Sequence, residues 1–582
     1  MKNNFLIVIS FFALFSCREK SAEKSEQFSI KENVSIDFST NKNFLLLPCE
    51  DSGEELQATI WVDDKKIDTY IIRIAQNSVD YWTPVDLSEW KNRKVSLKLN
   101  KSAAFLKEAK LADTFEYDYN ELFRPAYHFT PPYGWMNDPN GMVYYGGEYH
   151  LFYQYNPYGT RWQNMSWGHA VSTDLTHWQH LPVALYPDSL GTIFSGSAVV
   201  DETNSAGFQT GGEKTLLAFY TQAERGGQWQ SLAYSNDKGR TWTKYAGNPV
   251  LKKANTPDFR DPKVFWYAPA NKWIMVLAVG NHAEIYSSAN AKEWTFESGF
   301  GANYGSHDGV WECPDLLQFG EKWVLLISND RVANVRHSAT QYFVGSFDGH
   351  AFTCDFSPTE QHWLDYGKDH YATVSWANAP ADRKIVLPWM SNWQYANDVP
   401  TKYFRSAMAL PRELTLVQEN GKYLVKSYPV EEIQARKGKA GNVPDFNTNR
   451  IFDVPTNGIF EILLEIEAQA AQQFGFNLKN SKNESVEFAF DLQKNEFSVD
   501  RAKSGIVNFN ATFATKSVAP VLAKSAHTLR VFVDKSSVEA FLDGGEAAIT
   551  NLVFPNEPYK QIEFFTKDNQ FKINDLKIFK IE

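Results

Sequence analysis

Short segments in which hydrophobic and polar residues alternate run along most of the chain. Early examples are ATIWVDD, YIIRIA and VSLKLN, and after residue 445 the chain reads FEILLEIEA, VEFAFDL and TLRVFVD. Alternation with a period of two is typical of antiparallel strands that bury one face. It predicts a small β domain over residues 31–120, with no catalytic constellation and therefore a support or binding role, and a β-sandwich over 445–582.

Between residues 121 and 435 the strand-like segments form a repeat. A serine, a polar turn and an aromatic residue recur at intervals of about 60 residues: Ser172 to Trp178, Ser235 to Trp242, Ser287 to Trp294, Ser346 to Phe352 and, more weakly, at Ser406. Several strands in each unit of this length predict the blades of a β-propeller. The predicted fold class is therefore all-β: a five-bladed β-propeller followed by a C-terminal β-sandwich, with a small N-terminal β domain.

Three acids occupy a similar position in this repeat. Asp138, Asp261 and Glu312 each lie eight residues before the turn of a predicted hairpin, where the first strand of a blade begins. Because these strands line the channel of a propeller, we expect the acids to meet at one mouth of it, with Ser195 and residues 369–371 at about the same place in the other blades. Each acid alone could serve only a turn or an ion pair. Three together crowd like charge, which costs stability unless a site uses it.

Close carboxylates in an aromatic-rich pocket suit glycoside hydrolysis. One carboxylate attacks the anomeric carbon, and a second donates a proton to the leaving oxygen and later activates water. The proton donor needs a raised pKa, which neighbouring carboxylates supply.

Three blocks, in this order, resemble the signature blocks of glycoside hydrolase family 32, the fructan hydrolases and invertases. They are WMNDPNG (135–141), FRDPKVFW (259–266) and WECPDL (311–316). Further blocks agree with the family: FYQYNP, NMSWGHAVSTDLTHW, FSGSAV, WMSNWQYA, FRSAMALPREL and HTLRVFVDKSSVEAFL. The resemblance covers about residues 121–582 and implies the same propeller and sandwich.

The resemblance also implies a retaining mechanism with a role for each acid. Asp138 would be the nucleophile, Glu312 the acid/base and Asp261 the transition-state stabiliser. The subsite for the terminal fructose would be formed by Asn137, Gln154, Trp162, Phe194, Ser195, Arg260 and Trp389. Trp393 competes with Trp389 for the aromatic role.

Two positions depart from the family pattern. The family often has His where Ser166 stands and Phe where His370 stands. Their place in the repeat puts both near the rim of the pocket. There they would affect the choice of leaving group and leave catalysis untouched.

We predict a hydrolase that releases fructose from levan or inulin by double displacement, with sucrose as a further candidate substrate. Exo attack is expected, because a funnel closed at its base favours chain ends. The alternatives are endo cleavage, transfructosylation, an inverting arabinanase-type enzyme, a sialidase and a non-catalytic fructan-binding lipoprotein. Sialidases use a Tyr nucleophile and an arginine cluster, and the repeat shows no such cluster. The intact trio of acids argues against a non-catalytic protein.

The N-terminal sequence MKNNFLIVISFFALFSC predicts export. Its apolar run, residues 5–15, is shorter than the roughly 20 residues of a spanning helix. It ends at Cys17, which resembles the acylated cysteine of bacterial lipoproteins, and residues 18–30 form a charged tether. Arg18 favours the outer membrane by the same resemblance. We expect an outer-membrane lipoprotein of a Gram-negative bacterium facing periplasm or cell surface, with an ordinary signal peptide over 1–17 as the alternative.

Composition and net charge limit the classes of partner that we expect for this protein. The 582 residues are 43% hydrophobic and 22% charged, which is typical of a globular chain with several domains. A net charge of −11 argues against nucleic acid. Cys49, Cys313 and Cys354 remain if Cys17 carries lipid, so no disulfide framework is implied. We expect a monomer with no metal and no cofactor, and membrane contact through the lipid alone.

Overall fold

The computed structural model describes residues 27–224, 226–332, 337–419, 421–455, 457–467, 473–522, 524–566 and 571–582. The predicted signal peptide, Cys17 and most of the tether lie outside the described residues. Regular structure in the described part is almost entirely β. Its helices are short 3-10 turns at Ser88–Trp90, Ala104–Glu108, Ala268–Ala270, Pro380–Asp382 and Glu431–Arg436. Among these residues, no helix is long and apolar enough to span a membrane.

The N-terminal domain consists of two sheets that pack on one hydrophobic core. The larger sheet contains, in spatial order, Gln27–Lys31, Ser35–Ser39, Val95–Leu99, Leu56–Val62 and Lys65–Ile72. The smaller sheet contains Tyr81–Asp86, Phe44–Cys49 and Lys110–Ala112. Alternate side chains of Leu56–Val62 are buried, as its sequence pattern predicts.

Five antiparallel sheets form the blades of the propeller. The first blade contains Gly134–Tyr145, Glu148–Asn156, Ser166–Ser172 and Gln179–Leu185. The second contains Thr192–Asp201, Thr215–Glu224, Gly227–Ser235, Thr243–Lys244 and Leu251–Lys252. The third contains Phe259–Tyr267, Lys272–Val279, His282–Ser288 and Thr295–Phe300. The fourth contains Trp311–Phe319, Lys322–Val332, His337–Phe347 and Phe352–Cys354.

The fifth blade closes the ring. It contains Tyr371–Ser375, Ile385–Met390, Ala407–Met408, Arg412–Glu419 and Lys422–Pro429. Just before its third segment, Phe404–Arg405 pairs in parallel with the start of the first blade at Gly134 and Trp135. The first strands of neighbouring blades contact one another around the channel. The predicted fold class is confirmed.

The serine repeat marks the end of the third strand in the first four blades. In the first blade, Ser172 Oγ accepts a hydrogen bond of 3.1 Å from the backbone N–H two residues later. In the third blade Ser288 makes this bond, at 3.2 Å, so the prediction of Ser287 was off by one residue. Neighbouring strand residues face opposite ways, and Ser287 points to the other face. Ser406 lies between two short strands and is not such a turn, so it was wrong as a fifth repeat.

The C-terminal region is a sandwich of two six-stranded sheets around a core rich in phenylalanine. One sheet contains Lys437–Val443, Lys572–Ile581, Phe460–Glu467, Ala526–Asp534, Ser537–Leu542 and Ala547–Leu552. The other contains Arg450–Asp453, Gln561–Thr566, Gln473–Lys479, Ser485–Asp491, Glu496–Lys503 and Lys516–Pro520.

A buried ionic cluster joins the propeller to the sandwich. Arg412 of the fifth blade donates to Asp365 at 2.8 Å and to Glu539 of the sandwich at 2.7 Å. His128 lies between Asp534 and Glu539, 2.8 Å from each. Burial disfavours the imidazolium, but the two carboxylates outweigh it and raise the pKa of His128 to about 9. Since breaking such a cluster leaves unpaired buried charge, the two domains are held together firmly.

Candidate active site

All five first strands carry a β-bulge close to the predicted site residues, and the first strand of the first blade carries a second one at 141–142. In each, two residues lie opposite one residue of the second strand. The bulged pairs are 137–138, 194–195, 261–262, 313–314 and 372–373. A bulge bends a strand and re-aims its side chains. The ring of bulges therefore turns one side chain after another toward the mouth of the channel.

The bulges also show that the three acids are not exact equivalents. Asp138 is the second residue of its bulge and Asp261 is the first residue of its own, whereas Glu312 comes immediately before its bulge. The left-handed φ of Asp261 (65°) and of Cys313 (47°) marks these two as the matching positions. The distance of each acid from its hairpin turn predicted that the three acids lie close together. It did not predict this offset, because of which each carboxylate points in a different direction.

Asp138 is held by three donors. Ser195 Oγ donates to its Oδ2 at 2.6 Å, Asn137 Nδ2 donates to its Oδ1 at 3.0 Å, and the Cys313 thiol lies 3.5 Å from Oδ2. Burial, followed by the charge of Glu312, raises the pKa of Asp138 above its usual value, while the three donors pull it down. The result is a fixed carboxylate with few remaining hydrogen-bond donors around it.

Asp261 lies on the other side of Cys313. Its Oδ2 accepts the Cys313 backbone N–H at 2.9 Å, and the thiol is 3.8 Å away, so a single sulfur contacts two of the acids. Burial, with help from Glu312 and Asp138 and against Arg260, raises the pKa of Asp261 to about 7. Burial and like charge thus favour the protonated form of Asp261, as they do for Asp138.

Glu312 is held from both sides. Its Oε1 accepts from Arg260 Nε at 3.1 Å and from Nη2 at 2.9 Å, and its Oε2 accepts a hydrogen bond from the Tyr371 hydroxyl. Arg260 also donates to Asp258 at 2.6 Å. Burial works against the guanidinium charge, but Glu312, Asp261 and Asp258 keep the pKa of Arg260 above its usual value. The side chain of Glu312 therefore has one orientation, with an edge toward the channel mouth.

Most of the other predicted subsite residues surround these acids. Asn137 and Ser195 contact Asp138 directly, and Arg260 contacts Glu312. With the Asn140 amide oxygen turned toward Gln154, Gln154 Nε2 donates to it at 3.0 Å, and the Asn140 amide nitrogen then donates to Ser195. Gln154 thus holds the Asn140 amide, which in turn holds the Ser195 hydroxyl beside Asp138.

Two further aromatic residues form the rim. The ring of Trp162 is 39% exposed and meets Phe194 edge to face at 6.0 Å. Phe194 shares its bulge with Ser195. Exposed rings beside the acids offer apolar faces on which a sugar ring can lie.

Trp389 does not face the pocket. It has no exposed surface and packs behind Trp135 and Trp393 at 6.2 and 4.9 Å. Trp393 is partly exposed and stacks on Trp135 at 6.1 Å. The prediction of Trp389 as a substrate-contacting ring therefore conflicts with its complete burial, and of these two rings only Trp393 presents surface.

Ser166 and His370 are not at the rim, and the prediction that they lie there was wrong. Both are buried, and Ser166 Oγ donates to the Asn164 backbone at 3.1 Å. Asn164 in turn donates to the Ile71 carbonyl of the N-terminal domain at 2.8 Å. A position in the repeat predicts where a residue lies along its blade, but it does not predict which other residues cover the strand.

Below the acids a polar cluster fills the channel. Lys263 Nζ donates to Asp315 at 2.9 Å and to the Ser375 carbonyl and hydroxyl at 3.0 and 2.8 Å. These residues come two to four positions after Asp261, Glu312 and Tyr371 along their strands, and they are buried. The channel is thus a closed funnel with the acids near its floor. The described part of the chain contains no cluster of His, Cys, Asp and Glu side chains that could bind a metal ion.

Two contacts of the site were missed from the sequence. Cys313 was treated only as a possible disulfide partner, yet its thiol lies between Asp138 and Asp261. Tyr371 was noted only for its place in the repeat, and its bond to Glu312 was not foreseen. Cys313 sits inside the WECPDL block, immediately after Glu312, and that adjacency was the available signal.

Comparison with known proteins agrees with this geometry. Sequence models described as Glycosyl hydrolases family 32 N-terminal domain and Glycosyl hydrolases family 32 C terminal match residues 128–427 and 429–580. Residues 31–127 match a family described as Domain of unknown function (DUF4980). The two enzyme-family matches span the propeller and the sandwich.

Similar individual proteins support the same family. The chain is 48% identical over 477 residues to a levanase of Bacillus subtilis, with 79% of this chain and 70% of the relative covered. It is 37% identical over 508 residues to an extracellular exo-inulinase of Aspergillus niger, with coverage of 79% and 94%. The crystal structure of an exo-inulinase from Aspergillus awamori superimposes with a TM-score of 0.75 at 35% identity, covering 80% of this chain and 99% of the other.

Proposed function

The chain belongs to glycoside hydrolase family 32, and we propose that it releases fructose from β-fructans of the levan or inulin type, with sucrose as a further substrate. The observation that carries the proposal is the convergence of Asp138, Asp261 and Glu312 at the bulged floor of one closed funnel. The levanase and exo-inulinase similarity supports fructans as the substrate class.

The proposed reaction is a double displacement. An oxygen of Asp138 attacks the anomeric carbon of the terminal fructose, and the bond to the leaving oxygen breaks as Glu312 transfers a proton to that oxygen. The covalent fructosyl intermediate is then attacked by water, whose proton Glu312 takes. The hydrogen bonds from Ser195 and Asn137 favour the ionised form of the nucleophile against the effect of burial, which supports its role.

Glu312 and Asp261 have complementary roles. Arg260 and Tyr371 hold Glu312 in one orientation, as proton transfer in both directions requires. Asp261 would accept hydrogen bonds from fructose hydroxyls and stabilise the oxocarbenium-like transition state by its charge.

The subsite would be closed by aromatic rings. Trp162 and Phe194 at the rim, and Trp393 in place of Trp389, offer exposed surface to the terminal sugar. Asn137, Gln154, Ser195 and Arg260 act chiefly by holding the acids. We propose exo attack, because a funnel blocked at its floor by the Lys263 cluster admits a chain end and stops it there.

The test is to incubate the protein with levan, inulin and sucrose and to follow the first products by chromatography. Free fructose as the sole early product from levan or inulin is expected, and the relative rates identify the linkage. A ladder of oligosaccharides would show endo cleavage. No product from any of the three would refute the proposed activity.

Variants assign the roles. Asp138→Asn and Glu312→Gln should each lower kcat by about a hundredfold or more, since a general acid contributes about 10²–10⁴ and loss of a nucleophile costs more. The matched control is Asp355→Asn, which removes a carboxylate paired with Lys322 at a surface site. Wild-type turnover by a folded Asp138→Asn variant would remove Asp138 from the mechanism.

We also propose that the enzyme is a monomer exported and anchored through a lipid on Cys17, with domains at about 31–120, 121–435 and 445–582. The N-terminal sequence supports the anchor. Labelling of the expressed protein with a radioactive fatty acid tests it, and Cys17→Ser should abolish the label and release the protein from membranes. Label that persists in Cys17→Ser would refute this anchor.

A further inference from the structure

A second cavity lies where the N-terminal domain, the connecting segment 113–133 and the propeller meet. It is open to solvent and has a volume of about 210 Å³, somewhat smaller than the range of about 300–1,000 Å³ typical of sites for drug-sized ligands. Aromatic side chains from all three parts line it: Tyr81, Trp82, Phe115, Tyr117, Tyr133 and Tyr403. It is separate from the funnel that holds the acids.

One ring of this cavity is exposed, whereas Tyr81, at 6%, is buried. Tyr117 is 38% exposed and stacks on Tyr133 with ring centres 5.2 Å apart and planes 10° from parallel. Its neighbour Tyr119 is 47% exposed. A flat apolar surface held open to water in this way is stabilised when a ligand with an apolar face covers it.

The polar groups of the cavity indicate a neutral, hydroxyl-rich ligand. The lining includes two exposed acids, Glu116 and Asp118, and no basic residue, although Lys110 and Lys402 lie over the Trp82 and Tyr403 rings. Carboxylates repel anions and accept hydrogen bonds from hydroxyl groups. Stacked aromatic faces with acceptors at their edges match a sugar ring, which carries C–H groups on its faces and hydroxyls around its perimeter.

Two short segments of the chain connect the lining of the cavity to the catalytic funnel. Gly134 lines the cavity and begins the strand that carries Asp138 four residues later, about 13 Å along an extended chain. Gly159 also lines it and stands three residues before Trp162 of the funnel rim. The Gly159 carbonyl accepts the Trp135 N–H at 3.0 Å, which ties the two pieces together.

Contacts between the domains fix this arrangement. Asp51 of the N-terminal domain accepts from Thr160 Oγ at 2.6 Å, from Arg161 at 3.2 Å and from Arg405 at 3.0 Å. Tyr70 stacks on Tyr158 at 3.8 Å. The N-terminal domain is thus packed on the loop that leads to Trp162, and its position relative to that loop is fixed.

We propose that this cavity is a second fructan-binding site, which holds a stretch of the polysaccharide away from the bond that is cleaved. The proposal rests on the proposed function and deepens it. It assigns a role to residues 31–127, the part of the chain that matches a domain of unknown function. Binding there raises the local concentration of chain ends at the funnel and favours polymers over sucrose.

The test uses full-length protein with Tyr117→Ala and, separately, Trp82→Ala. The matched control is Phe296→Ala, which removes an exposed ring (53%) from the third blade, outside this cavity. Polymer affinity is measured by retardation in gels that contain levan, inulin or dextran, with Asp138→Asn added to every protein to prevent hydrolysis. Steady-state kinetics on polymer and on sucrose use the same variants without that change.

Each cavity variant should bind levan or inulin about three- to tenfold more weakly, as loss of one aromatic contact predicts. KM for the polymer should rise in parallel, and kcat/KM for sucrose should stay unchanged. Wild-type retardation in both variants, or an equal loss in dextran, would overturn the proposal. Tyr117 is exposed enough to be removed without loss of the fold, so Tyr117→Ala decides the question if Trp82→Ala does not fold. Failure of the proposed function would appear differently, as no fructose released by the wild type.

Discussion

Removal of the Ser195 hydroxyl tests how the site keeps Asp138 ionised. Burial and the charge of Glu312 raise the pKa of Asp138, and the 2.6 Å hydrogen bond from Ser195 opposes them. Ser195→Ala leaves the strand and the other donor, Asn137, in place. The pKa of Asp138 should therefore rise further, and a smaller fraction of the enzyme should carry the ionised nucleophile at acid pH.

The size of the effect follows from the bond that is lost. A hydrogen bond to a charged group contributes about 1.5–3 kcal/mol, which is a factor of about ten to 150 in an equilibrium constant. On the acid limb, kcat/KM is proportional to the ionised fraction of the nucleophile in the free enzyme. At a fixed acid pH, kcat/KM should therefore fall by about this factor. On the plateau Asp138 is already ionised, and the loss should be much smaller.

The assay measures kcat/KM for sucrose or a short fructan between about pH 4 and pH 8. In this range the rate changes with the ionisation of the catalytic carboxyl groups. Ser197→Ala is the matched control, because Ser197 lies two residues along the same strand and bonds only to backbone groups, donating to the Pro262 carbonyl at 2.7 Å and accepting from the Val264 N–H at 2.9 Å. It should leave the pH profile unchanged. An acid limb at the wild-type pH in Ser195→Ala, or an equal loss at every pH, would refute the reasoning.

Trp393→Ala should raise KM for fructans about two- to tenfold, as loss of an aromatic contact predicts; steady-state kinetics check this, and unchanged KM would contradict the role. Because the pKa of His128 is raised to about 9, its stabilisation is complete below about pH 6.5 and is lost as pH rises to 9, by up to about 3 kcal/mol. Thermal unfolding across this pH range should show a decline that is absent in His128→Gln; a flat wild-type profile would be evidence against it. Gly367→Ala places a Cβ 2.1 Å from the Thr550 carbonyl and should destabilise the propeller–sandwich contact by about 1–3 kcal/mol. Gly212→Ala, with no atom within 4 Å of its Cβ, should leave Tm unchanged, and equal Tm values for the two variants would count against the clash.

Local pattern was enough for the architecture. Period-two alternation and turn residues are properties of neighbouring residues, and they predicted strands, blades and sandwich without any knowledge of distant contacts. The blocks around Asp138, Asp261 and Glu312 are equally local, and the repeat put them at one end of their blades. Because every blade of a propeller meets the same axis, this was sufficient to bring three distant acids into one funnel.

What surrounds each side chain was decided only by the tertiary structure. Trp389 and Trp393 lie four residues apart in one block, yet packing against Trp135 leaves the first with no exposed surface and the second partly open. Ser166 has no exposed surface, although its place in the repeat predicted the rim of the pocket. Exposure depends on residues far away in sequence, and a local pattern carries no information about them.

The aim of the catalytic side chains was also decided in three dimensions. The bulges that offset Asp138, Asp261 and Glu312 appear only when each first strand is paired with its neighbour, since a bulge is a mismatch between two strands. The contact of Cys313 with two of the acids follows from that offset. The sequence by itself determined which acids meet, and the pairing of strands decided how each of them points.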